Sequence, residues 1–167
     1  MGGSPKDLYE AGIRLSFEEN NISSGVESYL ANTGKVEGYK DPLKGQSGQT
    51  YDYSGSINTA VTVAWAGGDF EKSLEQIITQ KWIANFPNGM ESWSEYRRTG
   101  YPKLMPMAAN ASSGIVDDTE GARRMPYPTD EYRENKESVE AAVLTLTQES
   151  KTKKGDSMAT HVWWDCK

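Results

Sequence analysis

Paired carboxylates are the first residues in this chain whose spacing could support catalysis. Glu91 and Glu95 lie one helical turn apart. A second cluster, in a predicted loop, consists of Asp117, Asp118 and Glu120. Glycoside hydrolysis requires two carboxyl groups about 5–9 Å apart on either side of the scissile bond. In a chain with 24 acidic residues, however, neighbouring carboxylates are typical of a solvated surface. We therefore predict that the protein is not an enzyme.

Nucleophilic and metal-dependent chemistry have few candidate residues. His161 is the single histidine and Cys166 the single cysteine. A serine or cysteine nucleophile needs a histidine base, and a zinc site needs several Cys or His ligands. Residues 117–121 also lack the alternating acidic spacing of a calcium-binding loop. We predict no metal and no cofactor, and we interpret His161 as an exposed or packed terminal residue.

A glycine-rich stretch over residues 35–68 holds the aromatic residues best placed to contact a ligand. These are Tyr51, Tyr53 and Trp65. Aromatic side chains in a long loop have fewer packing roles than those on a helix, and long loops often carry function. By contrast, the aromatic and arginine residues at 93–98 have helical spacing, which favours packing with an arginine buried in a polar network. The loop is therefore the predicted ligand-binding segment.

The overall composition limits the possible partners. Eighteen basic residues against 24 acidic ones give a net charge of -6, which repels phosphate backbones, so we predict no nucleic-acid partner. No apolar run reaches the roughly 18 residues that a membrane-spanning helix needs, and no signal peptide follows Met1. Hydrophobic residues make up 36% of the chain, a low share typical of a core that a further segment completes.

Helix signals begin near the N-terminus. Ser4 and Pro5 are typical of a helix start, and apolar periodicity predicts a helix over about 5–20. Ser24, three residues before Glu27, predicts a capping box and a second, short helix. Glycines and prolines over 35–68 then predict a long irregular region, and within it Ile57 to Trp65 could form a strand or a helical turn.

The strongest apolar stripe follows Asp69. It predicts a helix that ends before Pro87, with Trp82 buried on the stripe. An N-cap at Asn88 predicts a second helix that ends at Gly100, so residues 69–99 form a tetratricopeptide-like hairpin.

Helix-breaking residues and a helix N-cap predict the structure of the remaining third of the chain. Residues 103–128 are rich in Pro, Gly and Ser and are typical of a loop, and Asn135 opens a further helix. The residues at 161–165 are predicted to form a short strand or a tail that docks its aromatic side chains. The fold class is therefore mainly α, with long irregular loops and little strand.

Several segments of the chain resemble, in the same order, the C-terminal portion of the SusD/RagB family. The residues that carry the resemblance are Leu8-Tyr9-Glu10-Ala11-Gly12, Gln80-Lys81-Trp82, Trp93-Ser94-Glu95-Tyr96-Arg97-Arg98-Thr99-Gly100-Tyr101-Pro102, Arg124-Met125-Pro126-Tyr127-Pro128 and Trp163-Trp164-Asp165. The match extends over nearly the whole chain.

The resemblance implies that residues 1–167 are the C-terminal part of a larger nutrient-binding protein. Such a protein is a surface-exposed outer-membrane lipoprotein, whose signal and lipid-anchor cysteine would lie outside this chain. It captures an oligosaccharide or another nutrient and delivers it to a TonB-dependent transporter of the SusC type, without catalysis. Tyr51, Tyr53 and Trp65 would then stack against sugar rings.

Two alternatives stay open on the sequence. The chain could be a helical-repeat scaffold that binds only proteins and has no ligand site of its own, or it could be a glycosidase. An aromatic-poor cleft beside an apolar patch would favour the scaffold, and two carboxylates converging in a pocket would favour the enzyme. Under the family interpretation, we expect exposed apolar surface where the N-terminal part of the longer protein would dock.

Overall fold

The computed structural model describes residues 3–35, 40–44, 50–52, 61–105 and 110–165, which form six helices and one two-stranded sheet. This confirms a mainly helical fold with little strand. In chain order, the elements are α1 (Pro5–Glu19), α2 (Val26–Leu30), β1 (Lys40–Lys44), β2 (Thr50–Asp52), α3 (Phe70–Ala84), α4 (Gly89–Thr99), α5 (Thr129–Glu134) and α6 (Lys136–Glu149).

The first two helices begin in different ways. At α1, the Ser4 hydroxyl accepts from the backbone N–H of Asp7 at 3.1 Å, and the Asp7 carboxylate accepts from the backbone N–H of Ser4 at 3.2 Å. This reciprocal capping confirms the predicted start and lowers the pKa of Asp7, chiefly through the hydrogen bond from Ser4. The predicted capping box at Ser24 is wrong, because α2 begins after Gly25, which has φ of 90° and no side chain to cap with.

The predicted irregular region contains a short hairpin. Strands β1 and β2 pair antiparallel, with Lys40 opposite Asp52 and Lys44 opposite Thr50, and the register shifts between these pairs. Strand β1 was not predicted because it contains Pro42, and proline usually ends a strand but is tolerated at a sheet edge. Residues 57–60 lie outside the described residues, and 61–65 form neither a strand nor a helix.

The predicted tetratricopeptide-like hairpin is confirmed as α3 and α4. The carboxylate of Asp69 accepts from the backbone N–H of Lys72 at 2.9 Å, and Asn88 caps α4 in the same way. Gly100 ends α4 with φ of 73°, a conformation that favours glycine. The rings of Trp82 and Tyr96 pack edge to face, with centroids 6.4 Å apart.

The apolar stripe of α3 is less buried than the sequence predicts. Ile78 is buried, but Trp82 is half-buried rather than buried. Phe70 and Ile83 are 74% and 56% exposed. The stripe is therefore wider than the surface that covers it in this chain, as expected if a further segment docks there.

The chain divides into two compact units, Met1–Tyr96 with Gly100–Leu104, and Arg97–Thr99 with Met105–Lys167. The first unit has an apolar core of Tyr9, Ile13 and Leu30. Half-buried side chains pack against this core, and they are Phe17, Val26, Tyr29, Val63 and Trp65. Most of this core comes from α1 and α2, and the 61–66 segment closes it.

The second unit is organised around buried polar side chains. Arg123 and Asp165 form a buried ion pair, in which the Arg123 Nε donates to Asp165 Oδ2 at 2.8 Å. The Arg97 guanidinium donates to the backbone carbonyl of Arg123 at 2.8 Å, which confirms that an arginine of the 93–98 segment is buried in a polar network. Burial lowers the pKa of Arg97, while the Asp165 carboxylate opposes that shift.

The helices of the second unit differ from the prediction. Helix α5 was missed, because its six residues carry four charges and no apolar periodicity. Helix α6 begins after Asn135 as predicted, although the Asn135 side chain makes no capping hydrogen bond.

The C-terminal residues form a turn and not the predicted strand. The backbone N–H of Asp165 donates to the backbone carbonyl of Val162 at 3.0 Å, which closes this turn. Trp164 is half-buried, and the Arg97 guanidinium lies over its indole. The guanidinium carbon is 4.6 Å from the centroid of the Trp164 ring. Trp163 is exposed. Trp164 therefore docks as predicted.

Replacing Asp165 with alanine should leave the buried Arg123 guanidinium without its carboxylate. We expect the free energy of unfolding to fall by about 3–5 kcal/mol, as measured by urea denaturation. Asp130→Ala is the matched control, because Asp130 pairs with Arg133 on the surface and should have almost no effect. Equal effects of the two substitutions would contradict a structural role for the buried pair.

Candidate functional site

A groove of about 550 Å³ runs along the first unit beside the start of α1, the 65–68 segment and α3. We name it the Trp65 groove, and the side chains that define it are Lys6, Trp65, Phe70, Ser73, Leu74 and Ile77. It combines aromatic and aliphatic surface with a lysine and a serine at the same site. Apolar walls with a few polar groups are typical of ligand sites.

The backbone around Trp65 is held by one buried amide on α3. Gln76 is 1% exposed, and its Nε2 donates to the carbonyls of Thr62 at 2.8 Å and Ala64 at 2.9 Å. Its Oε1 accepts from the backbone N–H of Ala66 at 3.3 Å. The 62–66 segment has no regular secondary structure, so these bonds pair backbone groups that a helix or strand would otherwise satisfy.

Tyr9 supports Trp65 from α1. Its hydroxyl donates to the Val63 carbonyl at 2.7 Å, and its ring centroid lies 5.0 Å from that of Trp65, tilted by 47°. Burial is the main cause that raises the pKa of Tyr9 to about 12. Ala64 is also fixed by a backbone hydrogen bond of 2.8 Å to the Asn32 carbonyl. Trp65 is thus held in place while its side chain still lines the groove.

Two glycines connect Trp65 to α3. Gly67 and Gly68 have φ of 63° and 104°, which other residues rarely adopt. A Cβ atom on Gly67 would lie 3.5 Å from the Trp65 indole nitrogen. The glycines therefore let the chain turn tightly beside the indole and enter α3 at Asp69.

The three residues predicted to bind a ligand are described to different extents. Trp65 lines the groove, Tyr51 lies in β2, and Tyr53 lies outside the described residues. Joint ligand contact by the three aromatics therefore stays a prediction. Gln76 and the role of the Tyr9 hydroxyl were not predicted, because no motif marks a polar side chain whose partners are distant backbone groups.

The carboxylates considered for catalysis are bound to other groups. Glu91 and Glu95 each accept a hydrogen bond of 2.7 Å from the Lys81 ammonium. Together they raise the pKa of Lys81, with the bond to Glu91 as the largest cause. These two carboxylates thus tie α3 to α4.

The acidic loop has separate partners as well. Asp117 accepts from the backbone N–H groups of Glu120 and Thr119, which holds the pKa of Asp117 well below its usual range. Asp118 accepts from Asn110 at 2.6 Å, and the Glu120 carboxylate lies 2.7 Å from the Nε2 of the buried His161. The described part of the loop is therefore organised by local hydrogen bonds and one contact with the C-terminal turn.

The described residues contain neither a metal-binding cluster nor a membrane-spanning helix. In these ranges, no group of three or more His, Cys, Asp or Glu side chains is arranged to hold a metal ion. None of the described helices combines the length and apolarity needed to cross a bilayer.

Comparison with known proteins gives a consistent result. Residues 1–165 match the sequence profile of the SusD-like family, described as Susd and RagB outer membrane lipoprotein. A SusD homologue from Bacteroides ovatus ATCC 8483 is 87% identical, with a TM-score of 0.87, over 100% of this chain. A homologue from Bacteroides thetaiotaomicron VPI-5482 is 46% identical over 100% of the chain, with a TM-score of 0.81.

A third solved structure is a chitin-binding SusD homologue from Flavobacterium johnsoniae. It is 41% identical over 98% of this chain, with a TM-score of 0.77. The chain spans 34%, 34% and 32% of the length of these three structures, which is about one third of each. No curated protein matches the chain.

Gln76→Ala should detach the 62–66 segment from α3. The variant loses three hydrogen bonds between α3 and a half-buried segment, so we expect the free energy of unfolding to fall by about 1–3 kcal/mol. Trp65 fluorescence should also shift to longer wavelength as the indole becomes more exposed. Gln148→Ala, the same change at an exposed position of α6, is the control. A normal unfolding midpoint for Gln76→Ala would contradict the proposed clamp.

Tyr9→Phe should change how stability depends on alkaline pH. The folded chain keeps the Tyr9 proton up to about pH 12, above the usual pKa of about 10. The Tyr9 contribution to stability is therefore present below pH 10 and is lost as pH rises towards 12. Urea midpoints of the wild type and variant should converge over this interval. Parallel curves would show that Tyr9 does not titrate differently in the two states.

Proposed function

The chain belongs to the SusD-like family, and from this premise we propose that it forms part of a surface lipoprotein that captures an oligosaccharide. The captured glycan would pass to a TonB-dependent transporter of the SusC type. The family description, outer membrane lipoprotein, supports the location. The chitin-binding relative from Flavobacterium johnsoniae supports a glycan as the class of ligand.

The fixed position of Trp65 carries the proposal for glycan binding. A sugar ring presents an apolar face of C–H groups, which packs on a flat aromatic ring, and hydroxyl groups at its edge. The Trp65 groove provides the indole beside Phe70, with the Lys6 ammonium and the Ser73 hydroxyl as polar partners. Gln76 and Tyr9 hold the Trp65 backbone before any ligand arrives, so little ordering entropy is lost on binding.

Binding fits this groove better than hydrolysis. The described residues that line it include no carboxylate, whereas hydrolysis requires two. Tyr51 and Tyr53 would extend the stacking surface from the neighbouring segment. Each stacked ring would contribute about 1 kcal/mol, if it resembles other aromatic pairs.

The test uses residues 1–167 in place of the matching third of the Bacteroides ovatus homologue. Calorimetry against a panel that includes chito-oligosaccharides identifies the best ligand. Replacing Tyr51, Tyr53 and Trp65 with alanine should then weaken binding about a hundredfold, because about 3 kcal/mol of stacking is lost. Trp163→Ala, at an exposed tryptophan of the second unit, should leave affinity unchanged.

Stability measurements separate binding from folding. The double variant Tyr51→Ala, Tyr53→Ala keeps the Trp65–Tyr9 contact and should unfold at the wild-type temperature while losing part of the affinity. If neither variant changes the affinity for the best ligand, these aromatics are structural. Absence of binding to every glycan would instead favour the scaffold that binds only proteins.

A further inference from the structure

Another groove lies in the second unit, where α5 meets α6, and it has a volume of about 420 Å³. We name it the Tyr127 groove, and the residues that define it are Tyr127, Glu131, Asn135, Ser138, Val139 and Ala142. Asn135 separates the two helices with φ of -133° and ψ of 39°, which is not a helical conformation. Side chains from both sides of this break therefore line the same groove.

The aromatic ring of this groove is held in place by its own unit. The backbone N–H of Tyr127 donates to the two carboxylate oxygens of Asp156 at 3.0 Å and 3.2 Å. The Arg124 guanidinium pairs with the same carboxylate, and its central carbon lies 4.9 Å from the centroid of the Tyr127 ring. The guanidinium covers one face of this half-buried ring, so the rest of the ring lines the groove.

The polar side chains of the groove are exposed and have unused hydrogen-bonding capacity. Asn135 makes no capping bond to α6, and its amide nitrogen has only a long contact of 3.4 Å with Glu131 Oε2. Within the described part of the chain, neither Glu131 Oε1 nor the Ser138 hydroxyl has a hydrogen-bond partner. Beneath these groups, Val139 is buried and Ala142 is half-buried. The groove thus combines an apolar floor and a fixed ring with a carboxylate, an amide and a hydroxyl.

This combination matches the two surfaces of a sugar. The C–H face of a pyranose packs on an aromatic ring, while its hydroxyl groups both donate and accept hydrogen bonds. A carboxylate can only accept, whereas an amide and a hydroxyl can do both. The apolar face of a protein helix would instead cover the polar groups without pairing them, which is costly.

The charge of the groove narrows the class of sugar. The described residues that line it include one carboxylate, that of Glu131, and no lysine or arginine. A sugar that carries a carboxylate or a sulfate would therefore meet a like charge and no cation, and like charges in contact are costly.

We propose that the Tyr127 groove is a second glycan site, which binds neutral oligosaccharides and discriminates against acidic ones. It lies in a different unit from the Trp65 groove, and its binding does not depend on that groove. One aromatic ring in place of three makes it the weaker of the two sites.

The weaker site is measured after the stronger one has been removed. The protein is again residues 1–167 in place of the matching third of the Bacteroides ovatus homologue, with alanine at Tyr51, Tyr53 and Trp65. This triple variant is titrated with cellohexaose, maltohexaose, laminarihexaose and mannohexaose, and binding is followed by NMR of the ligand. At least one of these neutral hexaoses should still bind.

Substitutions in the groove should then weaken this residual binding. Tyr127→Ala and Ser138→Ala, each made in the triple variant, should each reduce the affinity for that hexaose about fivefold, the effect of one stacked ring or one hydrogen bond. Ser138 is exposed, so its substitution should leave the thermal midpoint unchanged and separate binding from folding. Thr145→Ala, at an exposed position of α6 outside the groove, should change neither quantity.

Glu131→Gln tests the preference for neutral sugars. The triple variant should bind the neutral hexaose at least tenfold more tightly than the same hexaose with its C6 hydroxyl groups oxidised to carboxylates. Glu131→Gln removes the like charge and should bring this ratio close to one. Glu149→Gln, at the exposed end of α6, removes an equal charge outside the groove and should leave the ratio unchanged.

The results distinguish failure at either groove. If the triple variant binds none of the hexaoses although its parent binds one, the Tyr127 groove is not a glycan site and the Trp65 groove stands. If the triple variant binds but Tyr127→Ala, Ser138→Ala and Glu131→Gln change nothing, the residual binding lies elsewhere and the Tyr127 groove is again rejected. If the parent and the triple variant bind equally and Tyr127→Ala weakens both, the Tyr127 groove stands and the Trp65 groove is rejected. A parent that binds no hexaose would overturn both sites.

Discussion

The arrangement of the first unit depends on how the backbone of residues 61–66 finds hydrogen-bond partners. This segment has no regular structure of its own, yet it packs against the apolar core, where unpaired N–H and C=O groups are costly. A single amide on α3, that of Gln76, satisfies three of these groups, and Tyr9 and Asn32 each satisfy one more. The position of Trp65 follows from this polar pairing. Apolar contact alone, being non-directional, would not fix the indole against Tyr9.

The two units use different physical means to specify their structures. The first has a small apolar core that is extended by aromatic contacts, and it leaves part of α1 and α3 uncovered. In the second, the largest fully buried side chains include Arg123, His161 and Asp165. Because the Arg123 and Asp165 ions lose their hydration, their pairing contributes little net stability compared with apolar packing, but it tolerates few alternative geometries. The network therefore specifies the arrangement of its segments more than it stabilises them.

Sequence patterns predicted those parts of the fold that depend on local interactions. The caps at Ser4, Asp69 and Asn88 act over three residues, so they could be identified together with the helices that they start. The strand pair and α5 were missed because their compositions contradict the usual local preferences. The apolar stripe of α3 was visible, but its exposure was not, since exposure depends on what covers a helix. Trp65 was identified as a site candidate from its glycine-rich context. Gln76 was not identified, because its partners lie 10 to 14 residues away along the chain.

The buried network of the second unit also constrains the order in which that unit can form during translation. Arg97 precedes Arg123 by 26 residues, and Asp165 follows Arg123 by 42 residues. The ribosome therefore releases two guanidinium groups well before it releases the Asp165 carboxylate, which pairs with Arg123. Burying both cations without that anion would cost several kcal/mol per ion. The nascent second unit must therefore remain open to water until Asp165 emerges, whereas the core of Tyr9, Ile13 and Leu30 and the Gln76 contacts that hold residues 61–66 need only residues 1–76.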